Sequence, residues 1–190
     1  FLKRHPDFEL EILDIPWFTP AGEGQFRMWP HRLLGEGHFG AVLRRKGDEP
    51  AESAGAVGEK LPKLWAEFAK GLGIELPEGK AILFGSRVFW APAEMPELKG
   101  LKVLRPGLEL GEMKKDRFEP AHALALWLHD CVCMENLDGE AVSQYLCGNV
   151  IPSSKKGWCL VTVDGYTLGW GKGDGKQLKN HFPKGLRHFK

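Results

Sequence analysis

The side chains best suited to chemistry in this sequence are the lysines and arginines of its C-terminal end. Residues 151–190 contain eight lysines and arginines but only two acids, Asp164 and Asp174, although the whole chain has a formal net charge of +1. Cationic side chains bind phosphate groups largely by releasing counterions, and a local excess of them attracts a polyanion to one part of the surface. This end of the chain therefore predicts a local contact with a polyanion.

The basic residues that are candidates for this contact lie in the C-terminal end of the chain and also further upstream. A structural interpretation stays open beside the functional one: aromatic residues such as Trp158, Tyr166 and Trp170 would belong to a small barrel, and the lysines would only solvate one of its faces. Composition alone does not separate the two. The candidate phosphate-binding residues are Lys114, Lys115, Arg117, Lys172, Lys176, Lys179, Lys184 and Arg187.

Two glycine-rich stretches have the spacing of nucleotide-binding loops but lack the residues that such loops need around them. Gly35–Gly40 fits G-x-G-x-x-G, yet the β-favouring residues 41–43 follow it where a dinucleotide-binding fold has a helix. In the stretch Gly169–Gly175, Trp170 replaces a glycine of the phosphate-binding P-loop, and Gln177 replaces its serine or threonine. We predict no nucleotide site in either stretch, and we expect the second to be a flexible turn that carries lysines.

The cysteines predict neither disulfides nor a metal site. Their spacing is not that of a disulfide framework, and the C-x₂-C pair that is usual in zinc sites is missing. No sequence pattern places a histidine or aspartate to activate one of them as a nucleophile. Because no apolar run approaches the ~18 residues that span a bilayer, we expect a reduced, cytoplasmic protein without membrane or metal partners. The cysteines are Cys131, Cys133, Cys147 and Cys159.

The apolar pattern predicts short strands and helices. Leu61–Leu72 has apolar residues at helical spacing, with Pro62 in its first turn and Gly73 after its end. Asp164-Gly165 between two alternating runs predicts a hairpin over Trp158–Trp170. Residues 16–24 and 47–58 have the composition of an irregular loop and of an exposed linker. Further helices are predicted at 121–129 and 139–146, and strands at 8–13, 40–43, 81–84, 88–90, 101–104 and 108–110.

Three segments of the sequence resemble one protein family. They are the opening residues, the motifs RMWPHR and GEGHF within 27–39, and the motifs GLELGE and KKDRFEPAHALA within 107–125. Together they are similar to the C-terminal third of bacterial RNA cytosine-5 methyltransferases of the Nop/Sun family. The similarity is closest to the branch that methylates small-subunit ribosomal RNA and ends in a PUA-like RNA-binding domain, and it extends over nearly the whole chain.

The resemblance implies an α+β fold built from successive parts. Residues 1–46 would be the last strands of a Rossmann-like methyltransferase domain, followed by the linker 47–58. Residues 59–106 would form a small α+β connecting module. Residues 107–190 would form the PUA-like RNA-binding domain, a mixed β pseudo-barrel with short helices.

The resemblance also implies where the chemistry of the family lies. The two catalytic cysteines and the S-adenosylmethionine site belong to motifs upstream of this chain. We therefore expect no catalytic residue and no cofactor in this chain, which would be inactive alone, whereas the parent enzyme would use S-adenosylmethionine. The resemblance gives a possible substrate-side role to His31, Arg32, Glu36, His38 and Phe39.

RNA binding is the function that these expectations support. The chain would hold structured small-subunit ribosomal RNA for its own upstream catalytic domain, which would form 5-methylcytosine. The alternative is a structural or protein-interaction module that stabilises the catalytic domain and contacts little RNA. Phe182 would stack on an unpaired base. We expect buried Trp158, Leu160 and Leu168, and a common exposed side for Lys114, Arg117, Lys172, Lys176 and Lys179.

Overall fold

The computed structural model describes residues 1–12, 19–22, 24–32, 34–47 and 57–187. The chain divides into two compact units, Phe1–Glu52 and Ser53–Lys190. This division falls within the segment that the sequence predicts to be a linker, of which residues 48–56 lie outside the described part of the chain. Each unit builds its own β-sheets.

The first unit contains one four-stranded sheet in the order β1-β4-β3-β2, and all of its pairs are antiparallel. Strand β2 lies inside the stretch that we expected to be an irregular loop, so that expectation is wrong for residues 19–22, while 13–18 and 23 lie outside the described residues. The assignment of residues 1–46 to a Rossmann-like domain stays a prediction. The strands are β1 (Phe8–Glu11), β2 (Thr19–Gly22), β3 (Gln25–Met28) and β4 (His38–Arg45).

The second unit opens with the predicted amphipathic helix, α1 (Lys63–Leu72). Pro62 precedes its first residue, a place where the fixed φ of proline favours the start of a helix. Gly73 ends the helix in the left-handed conformation, with φ 67°, which an L side chain would strain. The apolar face of α1 is buried, and its polar face is exposed.

An antiparallel sheet follows α1, with its four strands in chain order. The predicted hairpin around residues 85–86 is confirmed, whereas residues 101–104 form no strand and the side chains of Leu101 and Leu104 are exposed. The expected domain boundary at 106–107 falls between two neighbouring strands of this sheet. The strands are β5 (Lys80–Phe84), β6 (Arg87–Ala91), β7 (Leu108–Met113) and β8 (Phe118–Pro120).

The last sheet has five strands in the order β10-β13-β12-β11-β9, with one parallel pair, β9 with β11. The hairpin of β11 and β12 turns at Asp164 and Gly165, both at positive φ, as the sequence predicts. The elements are α2 (His122–Trp127), β9 (Met134–Asn136), α3 (Gly139–Leu146), β10 (Ile151–Pro152), β11 (Lys156–Val163), β12 (Tyr166–Asp174) and β13 (Gln177–Asn180).

Strand β11 is buried on both of its faces because helices cover each side of the last sheet. On one face, Leu160 packs in a core shared with α1, α2 and the preceding sheet. On the other face, Cys159 and Val161 pack in a second core that includes Tyr145 of α3. Burying an aliphatic side chain of this size contributes roughly 1.5–3 kcal/mol, so β11 is a major source of stability. The unit is therefore α+β, with a mixed sheet between two apolar layers.

Trp170 of β12 links the sheet to both flanking helices. Its indole Nε1–H donates to the carbonyl of Ala121 at 2.9 Å. Its own carbonyl accepts from the hydroxyl of Tyr145 at 3.0 Å and from the backbone N–H of His181 at 3.1 Å. Because Trp170 is fully buried, these bonds fix the position of β12 and of the chain that follows β13.

Candidate nucleic-acid interface

Strands β11, β12 and β13 of the last sheet bring aromatic and basic side chains together on one face. Strand register places Trp158 of β11 opposite Lys172 of β12, and Lys172 opposite Lys179 of β13. Opposite residues point to the same face of a sheet, and this face also carries Leu160 and Trp170 further along the same strands. The face that is buried beneath the helices therefore continues into a positively charged surface.

The side chains of this surface are in close contact. Lys172 Nζ lies 5.3 Å from the centroid of the Trp158 ring, and the His181 ring centroid lies 4.5 Å from that of Trp158. From the core side, Phe68 of α1 packs on Trp158 with ring centroids 6.4 Å apart. The core thus holds the indole in place, and a lysine and a histidine flank it. We call Trp158, Lys172, Lys179 and His181 the Trp158 surface.

The two lysines of the Trp158 surface have no acidic partner. Neither forms an ion pair within the described part of the chain. Asp174, the nearest acid in sequence, accepts hydrogen bonds from the backbone N–H of Lys176 and Gln177, which lower its pKa. Like charges directly opposite on paired strands repel, at a cost of roughly 0.2–1 kcal/mol. The fold therefore keeps two lysines opposite each other here, and neither of them is held in an ion pair among the described residues.

His181 adds a titratable ring to this surface. Partial burial lowers its pKa, and the positive charges of Lys172 and Lys179 lower it further, against an opposing effect of Glu119 on β8. The ring is therefore mostly neutral near pH 7, and a bound anion would favour its protonation. Strand β8 lies near this surface, because Phe68, which packs on Trp158, also packs on Phe118 of β8 with ring centroids 5.2 Å apart.

The upstream basic residues belong to a second charged surface, on β7 and β8. Strand register places Glu112 opposite Glu119, and the basic residues lie beside this acidic pair. Hydrogen bonds from Lys114 lower the pKa of Glu112, and those to Glu119 raise the pKa of Arg117. We call Glu112, Lys114, Asp116, Arg117 and Glu119 the paired strip. Its ion pairs are Lys114–Glu112 at 2.6 Å, Arg117–Glu119 at 2.7 Å and Arg117–Asp116 at 3.3 Å.

Phe182 and Arg187, two other residues of the predicted RNA-binding set, make contacts inside the protein. The expectation that Phe182 is exposed is wrong: the side chain is 9% exposed, and its ring packs 5.5 Å from the rings of His122 and Tyr145. The guanidinium of Arg187 donates to the carbonyl of Phe182 at 3.2 and 3.3 Å. Phe182 is therefore unable to stack on a base without leaving the core. Exposed side chains remain at Lys115, Lys176 and Lys184.

The expected burial of the hairpin is confirmed only for Leu160, whereas Trp158 and Leu168 are half-buried. Lys176 and Lys179 are exposed as expected, but Lys172 is half-buried because it lies along the Trp158 ring. Sequence reasoning left His181 out of the RNA-binding set and missed the outward position of Trp158. The position of His181 could have been found from the period of two, which puts residues 179 and 181 on one face of an extended chain.

The glycine-rich stretch 169–175 is not the flexible turn that we expected. Most of it is strand β12, and its glycines alternate with Trp170, Lys172 and Asp174. The close approach of neighbouring chain explains the glycines, because a Cβ at Gly171 would lie 2.1 Å from Leu178. The glycines on one face therefore allow a tight sheet that holds Lys172 on the other.

The predicted substrate-side residues lie in the first unit, at the surface of its sheet. His31, Arg32, Glu36, His38 and Phe39 are all exposed. Strand register pairs Arg27 with Phe39, and the guanidinium of Arg27 lies 5.2 Å from that ring and 5.5 Å from the ring of Trp29. Gly35–Gly40 leads into strand β4 and not into a helix, as the sequence indicates. A substrate role for these residues stays a prediction.

The cysteines are free thiols. Cys131 donates to the carbonyl of Cys133 at 3.0 Å, and burial raises the pKa values of Cys131 and Cys159. No group of three or more histidines, cysteines or acids that could hold a metal ion occurs in the described segments. Nor do these segments contain a helix that is long and apolar enough to cross a membrane.

Comparison with known proteins finds a family match for each of two segments of the second unit. Residues 67–128 match the family described as RsmF rRNA methyltransferase first C-terminal domain, and residues 136–188 match the family described as Methyltransferase RsmF PUA domain. The chain is an RsmF-like C-terminal region. The second match contains the Trp158 surface, and the first contains the paired strip, and residues 129–135 separate the two matches.

Curated relatives of this RsmF-like region carry the name ribosomal RNA small subunit methyltransferase F. The protein of Shewanella woodyi is 29% identical over 183 residues, covering 87% of this chain and 38% of the relative. That of Shewanella loihica is 31% identical with the same coverages, and that of Aliivibrio fischeri is 28% identical over 86% of this chain. The chain thus spans about two fifths of the length of these relatives.

Proposed function

We propose that this RsmF-like region binds small-subunit ribosomal RNA and positions it for an upstream methyltransferase domain. The observation that carries the proposal is the lysine pair at residues 172 and 179, which face each other beside Trp158 and form no ion pair with any acid that the structure describes. An RNA phosphate supplies the negative charge that this surface lacks. The match to an RsmF PUA domain over the same residues supports RNA as the polyanion.

The proposal extends to the reaction of the parent enzyme. An upstream domain would transfer the methyl group of S-adenosylmethionine to carbon 5 of a cytosine, in a cytoplasmic enzyme. Gly35–Gly40 does not fit S-adenosylmethionine, because it runs into strand β4 and builds no cradle of strand, loop and helix. We therefore assign no donor-binding residue in this chain, and its own contribution is to hold RNA.

The test is the salt dependence of RNA binding by the whole chain. Transcribed fragments of small-subunit ribosomal RNA are titrated with the protein in a filter-binding assay at several potassium chloride concentrations. Each phosphate contact contributes about −0.7 to −0.9 to the slope of log K against log salt. We expect the variant Lys172→Gln/Lys179→Gln to reduce this slope by about 0.7–0.9, the share of one phosphate contact. Absence of binding by the wild-type chain at low salt overturns the proposal.

The matched control for the test is Lys99→Gln. Lys99 is exposed and follows Leu98, which packs on Ile82, Phe89 and Ala91 in a separate apolar cluster, so it lies away from the Trp158 surface. Its removal should leave both affinity and slope within error of the wild type. An equal loss in this variant would mean that net charge, and not the Trp158 surface, determines binding.

A second candidate function is that of a protein-interaction module, as the sequence allows. A cleft of about 430 Å³ lies at the C-terminal end of α1, lined by Gly73, Ile74 and Trp127 among others. Near it, Trp127 is 39% exposed and Val132 is 78% exposed, so apolar surface is open to a partner. Under this alternative, Trp127→Ala would weaken the parent enzyme's domain assembly, while Lys172→Gln/Lys179→Gln would leave RNA binding unchanged.

A further inference from the structure

The two lysines and the histidine of the Trp158 surface are neighbours. Lys172 and Lys179 are cross-strand neighbours, and both act on the charge of His181, whose ring packs on Trp158 at 4.5 Å. The two lysines and the histidine thus lie side by side on β12, on β13 and on the chain after β13. Such an arrangement suits a single compact anion better than an extended row of anions.

We propose that Lys172, Lys179 and His181 bind one backbone phosphate of the RNA, and that His181 takes up a proton when this phosphate binds. The proposal rests on the proposed function, because it names the chemical group that the same surface contacts. The phosphodiester accepts hydrogen bonds from the two ammonium groups and from the protonated imidazole. No covalent bond changes, and the proton comes from solvent.

The charges that face His181 from the neighbouring elements explain why the proton arrives with the phosphate. Lys172 on β12 and Lys179 on β13 oppose protonation in the free protein, and partial burial against Trp158 of β11 opposes it too. Among the charges that the structure describes around this ring, Glu119 on β8 favours the charged form, and Arg117 already pairs with that carboxylate. A phosphate between the lysines neutralises the repulsion, so the imidazolium becomes the favoured form.

The experiment compares RNA affinity at two pH values in the whole chain. Between about pH 7.5 and about pH 5.5, proton uptake by one histidine should strengthen wild-type binding about three- to tenfold more than in His181→Gln. The control is His129→Gln, because His129 is exposed at the cleft beside Trp127 and not at the Trp158 surface. This control should keep the wild-type response to pH.

A second measurement keeps the test valid if His181→Gln folds poorly. NMR titration of the wild-type chain gives the pKa of His181 directly, without RNA and with the shortest ribosomal RNA fragment that binds. We expect the pKa to rise on binding. RNA binding with an unchanged pKa of His181 overturns the phosphate site and leaves the proposed function in place. Failure of the wild type to bind RNA at either pH overturns the proposed function itself and this inference with it.

Discussion

The paired strip and the Trp158 surface place like charges opposite each other, but only the strip compensates them. On β7 and β8, Glu112 faces Glu119, and the chain supplies Lys114 and Arg117 as partners. On β12 and β13, two lysines face each other, and neither forms an ion pair among the described residues. The charges of the paired strip are therefore balanced by ion pairs within the protein. At the Trp158 surface, a bound anion would balance the charges of the two lysines.

The difference shows that counts of basic residues in a sequence do not locate an RNA-binding surface. The sequence stretch Lys114–Arg117 is as basic as the tail, yet its ion pairs must be broken before its side chains can bind phosphate. Exposed ion pairs contribute only about 0–1 kcal/mol, so they do not forbid RNA contact, but they lower the net attraction. Uncompensated charge is the better guide to the site.

The largest expected effect on RNA affinity comes from replacing the basic residues of each surface in turn with neutral ones. Lys172→Gln/Lys179→Gln should weaken RNA binding at low salt at least tenfold, about 1.4 kcal/mol or more, because both lysines that contact the phosphate are lost. Lys114→Gln/Arg117→Gln removes the same charge but should change affinity less than about threefold, because both side chains are already paired. Fluorescence anisotropy with a labelled ribosomal RNA fragment measures both, and equal losses would erase the distinction between the surfaces.

A core substitution should separate stability from binding. Tyr145→Phe removes the hydroxyl that donates to the carbonyl of Trp170 at 3.0 Å, and should lower the free energy of unfolding by about 1–2 kcal/mol. Affinity for RNA, measured well below the melting temperature, should stay the same, since Tyr145 lies in the second core. Urea denaturation gives the stability. A parallel loss of RNA affinity would mean that the Trp158 surface depends on the whole fold and not on its own charges.

The two surfaces should respond to single neutralisation with opposite signs of stability. Lys179→Gln relieves repulsion with Lys172 and should raise the unfolding free energy by a few tenths of a kcal/mol, up to about 1. Arg117→Gln breaks two exposed ion pairs and should lower it by about 0.2–1 kcal/mol. Both changes should shrink in about 1 M salt, where charges are screened. Thermal melts at low and high salt make the comparison, and equal signs would contradict it.

Acid should destabilise the two surfaces in different pH ranges. The pKa of His181 is lowered in the folded protein, so its contribution is complete above the unfolded value of about 6.5 and is lost as pH falls below it. The pKa of Glu112 is also lowered, so its contribution persists until pH falls below about 4.5. We expect His181→Gln to remove part of the small loss of stability that sets in as pH falls below the unfolded pKa of histidine, and none of the loss that follows protonation of Glu112. Melting temperatures measured across this pH range test the prediction.

Local signals in the sequence predicted much of the fold. The period of Leu61–Leu72 predicted α1, residues 139–146 coincide with α3, and Asp164-Gly165 predicted the hairpin of β11 and β12. Each of these depends on residues that are near one another in the chain. The RsmF-like assignment of the chain was also available from its motifs, as the family matches confirm.

The arrangement of the site depends on long-range pairing that no local pattern shows. Strand β13 is short and polar, so nothing in its sequence predicted that Lys179 would pair with Lys172. The acids that neutralise the strip were visible in the sequence, but their contacts depend on the register of β7 and β8. Phe182 looked exposed among lysines, yet the turn after β13 directs it into the second core.

The most direct test of the account follows the indole N–H of Trp158 by NMR while RNA is added to the whole chain. Trp158→Phe assigns the signal, and the indole of Trp127, in the lining of the cleft at the end of α1, serves as the internal reference. We expect the Trp158 signal to shift at the same RNA concentrations that saturate binding, while Trp127 is unaffected. RNA binding that leaves the Trp158 signal unchanged would contradict the claim that this uncompensated surface is where RNA binds.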